Sequence, residues 1–192
     1  MQTIFQLHSE RASVLDRLHE GQVSILTQIV AVVAFALLTV LGAKVRIYLW
    51  EVPITLQTVA VYGSGLFLGW RNGFLAQLLY LTLGLFFPIF AGEGYGPAYL
   101  FGAITAGYLL AYPFAAALIG WLTRKWNTLL GSTLALFLGS QLLLLIGTMW
   151  LYTMSSLDWS TALVHGWLRF VPIELAKIFL LGAVYSGVRY IR

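Results

Sequence analysis

Pro172-Ile173-Glu174-Leu175-Ala176-Lys177 sets a carboxylate and an ammonium at the head of a charge-free run, Ile178 to Val188. At ~100° per residue, positions three apart lie within about 60° of one another around a helix, so Glu174 and Lys177 share a face. Pro172 suits a first helical turn, so the pair falls at the end of the span, where a shallow, partly wet location is open to it. Ionisable groups inside a membrane span are costly and usually face the bundle interior, where they pair, relay protons or bind a ligand. The stretch thus reads as the start of a membrane helix carrying one polar surface, either a structural ion pair or a ligand contact.

The rest of the chain suits the same solvent. Of its 192 residues, 60% are hydrophobic and 9% charged, and the mean hydropathy of +0.86 is far from that of a soluble domain. An integral membrane protein is expected. The length fits one compact bundle, so residues 22–192 are expected to form a single transmembrane domain after an N-terminal lead-in, 1–21. That lead-in carries Glu10, Arg11, Asp16, Arg17 and Glu20, without an apolar core and cleavage site. We expect it to be cytoplasmic rather than a secretory signal. The net charge of +4 comes from basic residues scattered between apolar runs, so they signal topology, and no nucleic-acid partner is expected. With no cysteine, disulfides, thiolate metal sites and cysteine nucleophiles are excluded.

Six spans are expected: Val23 to Ala43, Thr55 to Trp70, Asn72 to Phe90, Ala98 to Thr123, Trp126 to Tyr152, and Pro172 to Val188. The excess of arginine and lysine at Arg11, Arg17, Arg71, Arg124, Lys125, Arg189 and Arg192 puts both termini in the cytoplasm and the Pro172 end outside. In the first span, Ala34, Ala36, Thr39 and Ala43 offer a small-residue face, for packing within the bundle or against a separate protein. Arg46 to Gln57 is expected to run extended across the bundle mouth, because aromatic and β-branched residues precede Pro53. Thr55 and Gln57 then enter an apolar helix, and Gln57 either bonds a neighbouring helix or contacts a ligand. Gly69-Trp70-Arg71-Asn72-Gly73 marks a tight turn. Beyond it, Gln77, Tyr80 and Gly84 line one helical stripe. Phe87 to Pro97 is rich in glycine and proline, which lets backbone approach a ligand. Gly102, Thr105, Gly107, Tyr108 and Tyr112 mark the packed side of the fourth span. Ser140 and Gln141 read as interhelical hydrogen bonders, and 158–171 as an outer connection. His165 has no second ligand in a recognisable metal motif, so no metal is expected.

Together, Val52-Pro-Ile-Thr-Leu-Gln57, Tyr80-Leu-Thr-Leu-Gly84, Pro88-Ile-Phe-Ala-Gly92, Gly107-Tyr108 and the Glu174/Lys177 pair resemble the BioY family, the biotin-binding S components of energy-coupling factor (ECF) transporters. The resemblance covers nearly everything from Gly42 to Lys177. Gly102-Ala-Ile-Thr-Ala-Gly107-Tyr108 stands where the family tends to Gly-Pro-Thr-Gly-Gly-Tyr, Arg169 and Ile173 where proline and glycine are usual, and Glu174 where an aspartate is usual. The resemblance implies an all-α, six-helix membrane bundle in a prokaryotic cell membrane. It also implies biotin as ligand, and as partners a transmembrane coupling protein (T component) and two ATPases. It implies no enzyme activity and no cofactor. On the residues, Glu174 can accept from a urea N–H and Lys177 donate to the urea oxygen, while Trp50, Phe90, Tyr95 or Tyr99 covers the apolar ring. Thr55, Gln57, Tyr80, Gly92 and Tyr108 complete the candidate site, with Arg46 or Arg169 for the tail carboxylate.

Competing readings are an S component for another vitamin, and an autonomous ion-coupled carrier with Glu174 as proton site. Neither His-Glu-x-x-His nor a Gly-x-Ser-x-Gly elbow occurs, which argues against an intramembrane hydrolase. A phosphate-cradling Gly-x-x-x-x-Gly-Lys-Ser/Thr loop is missing too, so any ATP use must come from a partner.

Overall fold

The computed structural model describes residues 17–19, 22–47, 52–126 and 128–190. The chain runs through α1 (Ile25–Lys44), β1 (Arg46–Ile47), β2 (Ile54–Thr55), α2 (Gln57–Gly84), a 3-10 turn (Ala91–Glu93), α3 (Gly96–Gly102), α4 (Ala106–Lys125), α5 (Leu129–Met154), α6 (Trp159–Leu163), a π turn (Val164–Leu168) and α7 (Val171–Tyr190).

α2 is a helical hairpin rather than one rod. Gly69 breaks it with φ 75° and ψ 179°, a conformation costly for any residue with a Cβ. Hydrogen bonds then tie the two arms side by side, Gln57 to Tyr80 and Gln77 to Ser64. The arms answer to the second and third expected spans, and with α1, α4, α5 and α7 they make the six-helix bundle. α2 sits centrally, packed on α1 and α4, with α5 beyond α4 and α7 against α5 and α2. Where the first arm crosses α4, a Cβ on Gly65 would lie 2.3 Å from the Ala116 carbonyl oxygen. In lipid, where helices gain little from hiding apolar surface from one another, such close backbone approach is a main source of packing energy.

The outward faces are aliphatic and aromatic, as a hydrocarbon solvent requires: Ile25, Ile29 and Leu41 on α1, Phe179 and Leu180 on α7. Among the described helices, α1, α4 and α5 are each long and apolar enough to cross a bilayer. In the core, Tyr62, Leu66, Tyr80, Phe90, Ile119 and Leu144 are closed off.

Several sequence expectations shift. The fourth span begins at Ala106, not Ala98: α3 stops at Gly102, and Trp150 Nε1 donates to the Ala103 carbonyl at 3.0 Å, using a backbone acceptor that a continuous helix would keep for itself. Gly102, expected on the packed side, is exposed, whereas Gly107, Tyr108 and Tyr112 are buried. The third span ends at Gly84, well before Phe90. The connection 158–171 is largely helical, capped by Asp158. Of the small residues on α1, Ala36, Thr39 and Ala43 face the bundle; Thr39 donates to Gln77 Oε1 at 3.3 Å, so this stripe serves internal packing. The lead-in lies outside the described residues except for 17–19, which are helical, with His19 Nε2 3.0 Å from Thr123 Oγ1.

Candidate functional site

A cleft opens at the end of the bundle opposite the Gly69 turn, lined by Val52, Pro53, Thr55, Gln57, Ala91, Tyr99, Thr105, Tyr108, Leu109 and Tyr112. Local chemistry puts them there. β1 and β2 form an antiparallel ribbon whose second strand delivers Thr55 inward just before α2 begins. The break between α3 and α4 brings Tyr99, from α3, and Tyr108, from the first turn of α4, to the same cleft wall. The Tyr99 hydroxyl donates to the Ala91 carbonyl (3.1 Å), which pins α3 to the glycine-rich segment. The Tyr108 hydroxyl donates to Gly166 of the π turn (2.8 Å), which ties the cleft wall to the approach of α7. The cavity is small, about 40 Å³.

Two buried polar networks stand at and behind the cleft. In the first, the Thr55 hydroxyl donates to Gln57 Oε1 at 3.1 Å and Gln57 Nε2 donates to the Tyr80 hydroxyl at 2.5 Å. In the second, Lys177 Nζ lies 2.7 Å from Glu174 Oε1 and donates to Thr58 Oγ1 at 2.7 Å, and the Thr58 hydroxyl lies 3.2 Å from the same carboxylate oxygen. The Tyr62 hydroxyl donates to Glu174 Oε2 at 2.5 Å. Glu174 is 2% and Lys177 7% exposed. Tyr112 stands between the two networks, since it lines the cleft and lies within electrostatic reach of Glu174. A buried ion pair so fully hydrogen-bonded offers a urea-like group both an acceptor and a donor, provided that the pair opens toward it.

Of the candidate residues, Thr55, Gln57, Tyr99 and Tyr108 line the cleft, Tyr80 backs Gln57, and Glu174 and Lys177 meet behind Tyr112. Phe90 is a core residue between Tyr80, edge-on at 5.5 Å, and Tyr99, stacked at 5.6 Å. Gly92, at φ 81°, shapes the turn whose Ala91 reaches the cleft. Tyr95 is 59% exposed and does not line it. Arg169 is half-buried beyond the π turn and is not a lining residue. Trp50 lies outside the described residues. Thr58 and Tyr62 escaped the sequence reading. Their signal was a threonine and a tyrosine four apart on an otherwise apolar helix, one face of which already carried Gln57.

An all-helical membrane bundle with an aromatic cleft at one end and a buried ion pair behind it defines a class. Its fold is similar to that in the crystal structure of the S-component for biotin from an ECF-type ABC transporter, with a TM-score of 0.78 over 87% of this chain and 93% of that one, at 23% identity. The chain belongs to the BioY family, with a match spanning residues 11–192. It is 42% identical over 132 residues to biotin transporter BioY2 of Lactococcus lactis subsp. cremoris strain MG1363, covering 67% of this chain and 71% of that one. It is 35% identical over 147 residues to the probable biotin transporter BioY of Pyrococcus horikoshii, covering 76% and 86%.

Proposed function

We propose that this protein is the biotin-binding S component of an ECF transporter. In this reading it is a multi-pass protein of a prokaryotic cell membrane with both termini cytoplasmic, and it binds biotin with high affinity at its outer face. Uptake is driven by a coupling T component and two ATPases. The observation that carries the reading is the buried Glu174–Lys177 pair, held by Thr58 and Tyr62, with Tyr112 of the cleft lining within electrostatic reach of Glu174. Biotin's ureido ring has N–H donors for a carboxylate and a carbonyl for an ammonium, and Tyr99 and Tyr108 supply aromatic cover for its apolar ring once the cleft opens. Orientation is supported by the opposite end of the bundle, where Arg71 stacks on Trp70 at 5.0 Å and Lys125 on Trp121 at 4.4 Å, the basic and aromatic composition of a cytoplasmic interface.

About 40 Å³ holds a water molecule or two, whereas ligand pockets run to about 300 Å³ or more. Entry of a bicyclic ligand therefore requires the β1–β2 ribbon and the segment 85–105 to move apart, and Tyr112 to turn from between the two networks.

Equilibrium binding of labelled biotin to the purified protein, with thiamin and riboflavin as competitors, tests the ligand. Glu174→Gln and Lys177→Met are each expected to weaken biotin binding by one to two decades, since a hydrogen bond to a charged group is worth roughly 1.5 to 3 kcal/mol. If the pair were only architectural, each single change would instead lower thermal stability by leaving one buried charge uncompensated. Unchanged affinity in a stable double variant would remove the pair from the site.

A further inference from the structure

We infer that Tyr62 is a positioning residue for ligand binding: its hydroxyl fixes Glu174 Oε2, the carboxylate oxygen that accepts the ligand's N–H. This rests on the biotin reading above. An ionised carboxylate has about four lone-pair sites on its two oxygens, and here the two oxygens are unequally used. Oε1 faces Lys177 Nζ at 2.7 Å and the Thr58 hydroxyl at 3.2 Å, whereas Oε2 takes one hydrogen bond among the described residues, from the Tyr62 hydroxyl at 2.5 Å. The open acceptor site is therefore on Oε2. Lys177 has the complementary surplus. Of the ammonium's three N–H groups, one goes to Glu174 and one to Thr58, which leaves one among the described residues. One acceptor and one donor are what a cyclic urea needs for an N–H and its carbonyl.

Tyr62 is suited to hold Oε2 still. Glu174 stands in the first turn of α7 on a long side chain with many rotamers. Lys177 and Thr58 both act on Oε1, and a carboxylate held by one oxygen can still swing the other. Tyr62 lies one turn beyond Thr58 on the first arm of α2 and is fully buried, so its rigid ring offers the hydroxyl from a fixed place. The bond sets the plane of the carboxylate before the ligand arrives, and binding then loses little to ordering it. Tyr62 needs no contact with the ligand to do this.

The experiment is a double-mutant cycle on the full-length protein in lipid nanodiscs, read by equilibrium binding of labelled biotin and its displacement by desthiobiotin, which keeps the ureido ring and lacks the sulfur ring. Tyr62→Phe, which keeps the ring and removes the hydroxyl, should weaken both ligands by about tenfold, the lower end of the range for a hydrogen bond to a charged group. In Glu174→Gln, Lys177 holds the amide oxygen and the NH2 stands in the place of Oε2, so the acceptor that Tyr62 positions is gone. In that background Tyr62→Phe should change affinity by no more than about twofold. Equal losses in both backgrounds would make Tyr62 a packing residue and overturn the inference. A loss for biotin without one for desthiobiotin would place its effect at the sulfur ring and overturn it too. If Tyr62→Phe alone does not fold, because Glu174 is left short of a partner, the double variant should fold, and a further tenfold loss in it relative to Glu174→Gln would overturn the inference. If the folded wild type binds neither ligand, the biotin reading itself falls, and this inference with it.

Discussion

At the scale of single residues, the turn whose Ala91 lines the cleft ends in the one described non-glycine residue with a positive φ, Glu93 at 64°. For a residue with a Cβ that conformation costs roughly 1 to 2 kcal/mol, and glycine is largely relieved of it. Glu93→Gly is therefore expected to raise thermal stability by about 1 kcal/mol. A fall in the melting temperature would show that the carboxylate holds the loop by contacts outweighing its strain. Gly84 faces the opposite constraint, because a Cβ there would lie 2.0 Å from the Phe90 ring. Phe90 stacks on Tyr99, a wall of the cleft. Gly84→Ala should thus cost about 1 to 3 kcal/mol as an overpacking change and weaken ligand binding through the displaced ring. Thermal unfolding alongside the binding assay measures both effects. The candidate residues were legible where their type was out of place in hydrocarbon: Gln57, Glu174 and Lys177 each demanded partners. Tyr62 was not legible, because a tyrosine in an apolar helix has many possible neighbours and its partner, Glu174, is 112 positions away.

Elements respond to their ends. Asp158 caps α6, with hydrogen bonds from the Ser160 hydroxyl and from the hydroxyl and N–H of Thr161. These hold its carboxyl well below the ordinary 3.8, the Ser160 bond foremost. A native value below the unfolded one means that the cap contributes fully above the unfolded value and is lost as pH falls toward the native one. Amide exchange across Trp159–Leu163, corrected for intrinsic rates, is expected to be flat above about pH 5 and to accelerate in stronger acid. Asp158→Asn, which caps without titrating, should show no such acceleration. The hairpin α2 depends on a different terminus. Gly69→Ala places a Cβ 2.2 Å from the His19 carbonyl oxygen at a positive φ, and should destabilise by at least 1 kcal/mol. The sequence announced this turn through Gly69 and Gly73, but not the break after α3, where Ala103-Ile104-Thr105 carries neither glycine nor proline. At that break Trp150, from another helix, donates to the Ala103 carbonyl.

On the scale of the whole molecule, polarity is divided between the two ends. The cleft end carries Glu93 and Asp158, both exposed, and the other end Arg71, Arg124 and Lys125, also exposed. Single cysteines near Glu93 and near Asp158 should react with an impermeant thiol reagent in whole cells, and one near Arg124 should not. The reverse pattern would place the cleft on the cytoplasmic side. Because the native chain has no cysteine, each label reports a single position.

The sequence by itself determined the solvent, the helical spans and the demand for buried polar partners. A run of apolar residues about 20 long has one stable state in hydrocarbon, and a charge inside it cannot stay alone. It also placed Glu174 and Lys177 on one face, because helical periodicity is local. Only the tertiary structure decided which surface opposes that face, bringing Thr58 and Tyr62 to the pair and Tyr112 between the pair and the cleft. The physical reason is that periodicity fixes the direction in which a side chain leaves its own helix or strand. What it meets there depends on how the helices are packed, and in lipid that is set by close backbone contacts such as Gly65 against Ala116.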